Sequence, residues 1–124
     1  MEKLLEIHKD IWIARAKINE LREQDINPNT MPKTMFDQLT INIKKRGTLE
    51  SLPFCAEVNG KYEIISGHHR IRAARAAGMD EVYILLDTSG LSRDEIIAKQ
   101  LAHNNINGTV DPDLTLRLFE QIKD

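Results

Sequence analysis

The chain has 124 residues, of which 17 are Lys or Arg and 19 are Asp or Glu, giving a formal net charge of -2 at pH 7. This length supports one domain with a single core. The chain lacks the overall positive charge that is typical of nucleic-acid-binding domains. One cysteine, Cys55, excludes an intramolecular disulfide and a cysteine-based zinc cluster, so we expect a reducing, cytoplasmic setting. No signal peptide and no apolar run of membrane-spanning length is apparent, so no membrane partner is expected.

The first 25 residues allow one amphipathic helix by their apolar spacing, in which Leu4, Leu5 and Ile7 would continue into Ile11 and Ile18. A proline- and asparagine-rich stretch at residues 27–32 then predicts a loop.

A helix is predicted next, with Thr34 as its N-cap and Gly47 at its end. Its last turn carries Lys44, Lys45 and Arg46, which suit the negative end of the helix dipole. Contact with a phosphate or nucleic acid is the other interpretation of this basic turn.

A β-hairpin is predicted over residues 54–65, because Asn59-Gly60 separates two strand-like runs. The second run leads into Ser66 and Gly67, and an Ala/Arg-rich helix follows as far as Gly78. Gly67 is therefore expected at a strand-to-helix turn, where the unpaired N–H groups and dipole of the helix favour an anion.

Basic residues reinforce this anion-binding corner. His68 and Arg72 are four residues apart and His69 and Arg72 three apart, so each pair shares a helix face, and Arg70 can reach back from the same turn. An ordinary amphipathic helix with a solvated basic side is the alternative interpretation.

The remaining elements are a buried strand at residues 82–87, a helix begun by the capping box Ser92 to Glu95, and a final helix begun by Asp111-Pro112. The middle helix is expected to end near Asn107-Gly108.

The segment Gly67-His68-His69-Arg70-Ile71-Arg72-Ala73 resembles the Gly-Glu-Arg-Arg-x-Arg-Ala box of the ParB family. Residues 43–49 with Pro53, and residues 101–107, are similar to two further family segments in the same order. The resemblance implies an α/β fold of the ParB/sulfiredoxin type, with a small mixed sheet and two C-terminal helices. It places a strand near residues 11–16 and a turn at residues 18–21. Residues 1–10 would form an N-terminal extension, as an extra helix or a dimer contact, and residues 11–124 the ParB-like domain.

The same resemblance implies binding of CTP or ATP with Mg²⁺. The phosphate-binding residues would be Ser66, Gly67, His68, His69, Arg70 and Arg72, and Asn104 would help to hold the metal. His103 and Asn107 stand where the family has glutamate and arginine, which puts nucleotide turnover in doubt more than binding. Asparagines that simply terminate a helix are the alternative.

Sulfiredoxin has a catalytic cysteine in its similar box, but this chain has His68 there, and an imidazole cannot replace a thiolate. Sulfiredoxin activity is therefore not expected. The resemblance leaves open an NTPase, a phosphotransferase or a metal-dependent nuclease, for which Glu50 is the candidate catalytic carboxylate. A regulatory interaction module without catalysis also stays open. The implied context is DNA partition, a mobile element or DNA modification, with indirect contact to DNA and a homodimer as candidate partners.

Overall fold

A computed structural model describes residues 1–23 and 29–107, together with Thr109 and Val110. Asn27 and Pro28 of the predicted loop, and the predicted final helix from Asp111, lie outside the described residues.

The described chain contains a six-stranded sheet, a two-stranded sheet and three α-helices. The larger sheet is built from β1 (Glu2–His8), β2 (Ile11–Lys17), β3 (Leu21–Arg22), β5 (Phe54–Val58), β6 (Lys61–Ser66) and β7 (Glu81–Asp87). The smaller sheet pairs β4 (Asn29–Thr30) with β8 (Thr109–Val110), and the helices are α1 (Lys33–Arg46), α2 (His68–Ala76) and α3 (Arg93–Asn107).

The six strands follow the order β1-β2-β7-β5-β6-β3. Strand β5 is antiparallel to β6 and parallel to β7, while β7 is antiparallel to β2, so the sheet is mixed. The predicted α/β class with a small mixed sheet is confirmed.

The N-terminal residues form a strand, so the helix interpretation of this region is wrong. Strand β1 pairs antiparallel with β2 and lies at the edge of the sheet, with its side chains exposed. A helical spacing of apolar residues does not decide between helix and strand when a neighbouring strand can satisfy the backbone. The strand expected near residues 11–16 and the turn after it are confirmed, as β2 and a 3-10 turn at Ile18–Glu20.

Local turn chemistry predicts several boundaries correctly. Asn59 and Gly60 have φ of 52° and 77°. A two-residue hairpin loop in a type I′ turn requires positive φ at both residues. The Ser92 N–H donates a hydrogen bond of 3.1 Å to the Oε1 of Glu95, and the Glu95 N–H donates one of 3.2 Å to the Oγ of Ser92. These two hydrogen bonds form the predicted capping box. The predicted Thr34 cap is wrong, because α1 already begins at Lys33 after Pro32.

The core fills the space between the sheet and the helices. Its main cluster includes Ala14, Ile64, Ile71, Ala74 and Ile84, each at most 1% exposed. Of the described helices, none is long and apolar enough to cross a membrane.

Gly67 makes the turn from β6 into α2, as predicted. Its φ is 98°, a region that favours glycine, and a Cβ placed on it would lie 3.0 Å from Pro53 Cβ and 3.1 Å from Pro53 Cα. Pro53 is buried, and its carbonyl accepts a hydrogen bond of 2.9 Å from the Leu85 N–H in β7. The start of α2 is therefore held against the strand layer by a contact that only glycine permits.

We expect Gly67→Ala to lower the free energy of unfolding by more than Gly78→Ala does. Both glycines have positive φ, 98° and 87°, but a Cβ at Gly78 would meet nothing within 4 Å. Backbone strain alone costs about 1–3 kcal/mol at such positions, and only Gly67→Ala adds the clash with Pro53. Urea denaturation of the two variants measures the difference, and equal losses would show that the Pro53 contact does not constrain the turn.

Candidate functional site

A cavity of about 330 Å³ opens where α2 begins. This volume lies within the ~300–1,000 Å³ of small-molecule sites. One wall comes from β6, the turn and α2, and the other from α1 and a residue two positions before it. The lining residues are Ser66, Gly67, His68, His69 and Arg70 on the first wall and Met31, Met35, Gln38, Leu39 and Asn42 on the second.

The α2 wall offers hydrogen-bond donors and positive charge. The first intrahelical bond of α2 joins the Ile71 N–H to the Gly67 carbonyl, so the N–H groups before Ile71 have no acceptor in the preceding turn of helix. Arg70 is half-buried and forms no ion pair with any carboxylate of the described residues. The cavity lining contains no acidic residue among those described. This wall is suited to an anion.

His68 and His69 follow Gly67 on the same wall. His68 is 3% exposed, and its Nε2 atom has no hydrogen-bond partner among the described residues. Burial lowers the pKa of His68 to about 4; Glu23 opposes this shift, and Arg72 and His69 add to it. At neutral pH His68 is therefore a neutral imidazole that can donate one hydrogen bond. His69 is half-buried.

Arg72 lies outside this cavity lining, and its Nε contacts the carboxylate of Glu23. The hydrogen bond from Arg72 lowers the pKa of Glu23 more than burial raises it. The sequence predicts that Arg72 converges with His68 and His69 on one ligand. In the structure the two histidines line the cavity, whereas Arg72 lies outside its lining and is paired with Glu23. Arg75, further along the same helix, is exposed.

Glu50 lines a second cavity of about 180 Å³, together with Ser51, Thr48 and Leu49. Arg70 and two residues of α1, Leu39 and Asn42, line both cavities. The carboxylate of Glu50 is exposed and lies 2.8 Å from the Nε of Arg46. The structure therefore places Glu50 near Arg70, with its charge engaged by a residue of the basic last turn of α1.

The α1 wall is the part of the site that the sequence interpretation missed. The amide side chains of Gln38 and Asn42 lie on this wall, and the sequence interpretation assigns them no role. Their four-residue separation is the available signal, since it places both on one helix face.

The proposed metal ligand Asn104 belongs to α3, but its side chain lies outside the described residues. The preceding residue, His103, stacks on Phe54 with ring centroids 5.2 Å apart. Phe54 pairs with Ser66 in the sheet, so this part of α3 lies beside the strand that leads into the cavity. Within the described ranges, no three His, Cys, Asp or Glu side chains cluster as a metal site would require.

Cys55 lies in β5 and is buried, and burial raises the pKa of its thiol to about 12. A thiol in this state is not a nucleophile at neutral pH.

Acidification is expected to destabilise the fold through His68. Its folded-state pKa of about 4 lies below the ordinary value of 6.5, so below pH 6.5 the unfolded chain binds the proton preferentially. Stability should fall by about 2 kcal/mol between pH 7 and pH 5 from this group. Urea denaturation at both pH values should show a smaller loss in His68→Gln than in His103→Gln, whose histidine is less buried. An unchanged pH dependence in His68→Gln would contradict this assignment.

The curated relatives of this chain include a chromosome-partitioning protein and a nucleoid occlusion protein. The probable chromosome 2-partitioning protein ParB of Deinococcus radiodurans is 29% identical over 115 residues, covering 84% of this chain and 39% of that protein. A nucleoid occlusion protein of Bacillus thuringiensis is 32% identical over 83 residues, covering 62% of this chain and 28% of that protein. The chain thus spans well under half the length of these curated relatives.

Solved structures share the fold. C-terminally truncated ParB from Caulobacter crescentus, complexed with CTP-gamma-S, superposes with a TM-score of 0.66 and 20% identity, covering 88% of this chain and 63% of that one. The same protein complexed to the centromeric parS site gives a TM-score of 0.63 and 18% identity, covering 86% and 54%. A model of the ParB N-terminal domain family matches residues 5–105, which confirms the resemblance found in the sequence. The chain belongs to the ParB N-terminal domain family.

Proposed function

We propose that this chain binds a nucleoside triphosphate, CTP or ATP, with the phosphates at the start of α2. The observation that carries the proposal is the cavity itself, in which a helix N-terminus and Arg70 meet and no acidic side chain is present among the described lining residues. A helix N-terminus with a nearby guanidinium is a favourable environment for a phosphate. The solved Caulobacter relative with CTP-gamma-S makes CTP the first candidate.

Each residue of the corner has a proposed role. The backbone N–H groups after Gly67 cradle a phosphate, Arg70 neutralises its charge, and His68 and His69 donate hydrogen bonds, with Ser66 at the entrance. Arg72 can assist only by exchanging Glu23 for the ligand, since the two residues are paired. We therefore expect Arg70 to contribute more than Arg72.

We propose Mg²⁺ as a partner of the phosphates. Magnesium keeps several waters and commonly takes one or two protein oxygen ligands besides substrate phosphates, so it does not need a cluster of carboxylates. We propose Asn104 as its protein ligand. Bound there, the ion would neutralise phosphate charge.

The proposed context is DNA partition, a mobile element or DNA modification, since the named relatives are partition and nucleoid occlusion proteins. Contact with DNA is proposed to be indirect, through a partner or a second copy of the chain. The net charge of -2 and the local placement of positive charge at the cavity support this.

Nucleotide binding should raise the thermal unfolding midpoint of the wild-type protein. We would measure it with CTP, ATP, GTP and UTP, each with and without Mg²⁺. At a hundredfold excess over Kd the stabilisation is about 2.7 kcal/mol. Arg70→Ala should lose most of the shift, because a hydrogen bond to a charged group contributes about 1.5–3 kcal/mol. Arg75→Ala, on the exposed side of the same helix, should keep it.

Equal shifts in the Arg70→Ala and Arg75→Ala proteins would place the nucleotide elsewhere. Absence of any shift with the wild-type protein would favour the alternative of a regulatory interaction module.

A phosphotransferase is the second candidate function, because the cavity that Glu50 lines shares Arg70 with the proposed phosphate site. A hydroxyl-bearing acceptor in this second cavity could lose its proton to Glu50, once the carboxylate leaves Arg46, as the terminal phosphate is transferred to its oxygen. General bases typically contribute about 10²–10⁴ in rate.

If this candidate is right, Glu50→Gln should lower phosphate transfer to small hydroxyl acceptors at least about a hundredfold while the nucleotide-induced thermal shift remains. Transfer can be followed by the appearance of nucleoside diphosphate and phosphorylated acceptor. Asp80→Asn, at an exposed carboxylate outside both cavities, should behave as wild type. Undiminished transfer by Glu50→Gln would remove Glu50 as the base.

A further inference from the structure

The two edges of the larger sheet differ in length. At one edge β3 has two residues, which leaves an incoming strand little backbone to pair with. At the other edge β1 has seven residues and pairs only with β2 among the described strands. Natural proteins shorten or cover their edge strands, because the unpaired N–H and C=O groups of an edge can pair with another chain. Strand β1 is therefore an open edge.

Exposed apolar side chains are concentrated on this edge. Leu4, Leu5 and Ile7 are 45%, 58% and 51% exposed, and the rest of the described chain contributes only four other exposed large apolar side chains. Strand β1 contains no proline, and its protective features are one lysine, Lys3, and two irregularities in its register with β2. A long edge with three exposed aliphatic side chains favours pairing with a further strand.

The charges of β1 are complementary to those of a second β1 that runs in the opposite direction. In an antiparallel pair with a two-fold axis between Leu4 and Leu5, Lys3 of each copy lies opposite Glu6 of the other, and Leu4 lies opposite Leu5. A parallel pair in register would place Glu2, Lys3 and Glu6 each opposite an identical charge. Opposite charges across neighbouring strands stabilise a sheet, whereas like charges destabilise it. The charge pattern therefore favours the two-fold arrangement of a closed dimer.

Lys3 and Glu6 lie on the same face of the sheet, as this cross-strand pairing requires. Lys3 is opposite Ala14 of β2, and Glu6 is opposite Trp12. Directly opposite residues share a face of an antiparallel pair, and alternate residues of one strand share a face as well. The Nζ of Lys3 lies 5.7 Å from the centroid of the Trp12 ring, which agrees with this placement. Both charges can therefore meet their partners without a change in the strand.

We propose that β1 pairs antiparallel with β1 of a second copy of this chain, which joins the two six-stranded sheets into one. The cavity at the start of α2 adjoins β6, and three strands separate β6 from β1. At about 4.8 Å per strand, β6 lies roughly 20 Å from the pairing edge. The dimer therefore leaves the cavities of both copies open, and it forms without a nucleotide.

Analytical ultracentrifugation of the ligand-free wild-type protein, over a range of micromolar concentrations, should show a monomer–dimer equilibrium. Leu5→Lys should weaken dimerisation about tenfold or more, because the lost apolar contact and the added charge occur twice in a symmetric dimer. Ile41→Lys is the control, since Ile41 is 48% exposed but lies on α1, and this variant should dimerise as wild type does.

Exchange of the two charges tests the register. Lys3→Glu and Glu6→Lys should each weaken dimerisation, because each creates two like-charged pairs in the dimer. The double variant with both substitutions restores opposite charges and should recover most of the wild-type affinity. Amide hydrogen exchange in β1 of the wild-type protein should slow on dimerisation, since pairing occupies backbone N–H groups that an apolar contact alone would leave free.

A wild-type protein that stays monomeric over this range would overturn the proposal. Equal losses in Leu5→Lys and Ile41→Lys would also overturn it, because association would then not be specific to β1. A double variant no better than the single ones would reject the antiparallel register, and a dimer with unchanged exchange in β1 would reject strand pairing. None of these results depends on whether the chain binds a nucleotide.

Discussion

The approach of Gly67 to Pro53 is the constraint on which the site depends. Strand β6 must end and α2 must begin within one residue, and the turn has a left-handed conformation directly against a buried proline. Pro53 is in turn tied to β7 by its carbonyl oxygen. The first turn of α2, whose N–H groups before Ile71 have no acceptor within the helix, is therefore fixed relative to the sheet. A ligand bound there would meet donors that are already oriented and would lose little ordering entropy.

Charge in this protein is arranged locally. The chain as a whole is slightly acidic, yet the described lining of the cavity at the start of α2 contains no carboxylate, and Arg70 forms no ion pair with a described carboxylate. Two other arginines near the site, Arg72 and Arg46, are each held by a glutamate. The guanidinium of Arg70 therefore provides positive charge in the cavity lining that no described carboxylate neutralises, an arrangement that would favour a small anion there.

Sequence reasoning succeeded where a local chemical requirement determines the backbone. The Asn59-Gly60 turn, the Ser92 capping box and the glycine at residue 67 each depend on neighbours close in the chain. It failed at the Thr34 cap, and it failed where a partner distant in the chain determines the structure. The strand β1 is stabilised by β2, and no periodicity in residues 2–8 reveals that pairing. The α1 wall of the cavity was not predicted, because Gln38 and Asn42 line a cavity only when α1 packs beside α2.

The pairing of β2 with β7 has a consequence for how the chain folds. Ile11 pairs with Asp87, so β2 cannot form this pairing until β7, more than half the chain later, has been synthesised. Strand β1 pairs with β2 at the edge of the sheet, so its pairing depends on β2 as well. The hairpin of β5 and β6 with α2, by contrast, is made of neighbouring segments. On the ribosome, this local unit can form first and present a template, onto which β7 and then the N-terminal strands add in the slow, non-local steps of folding.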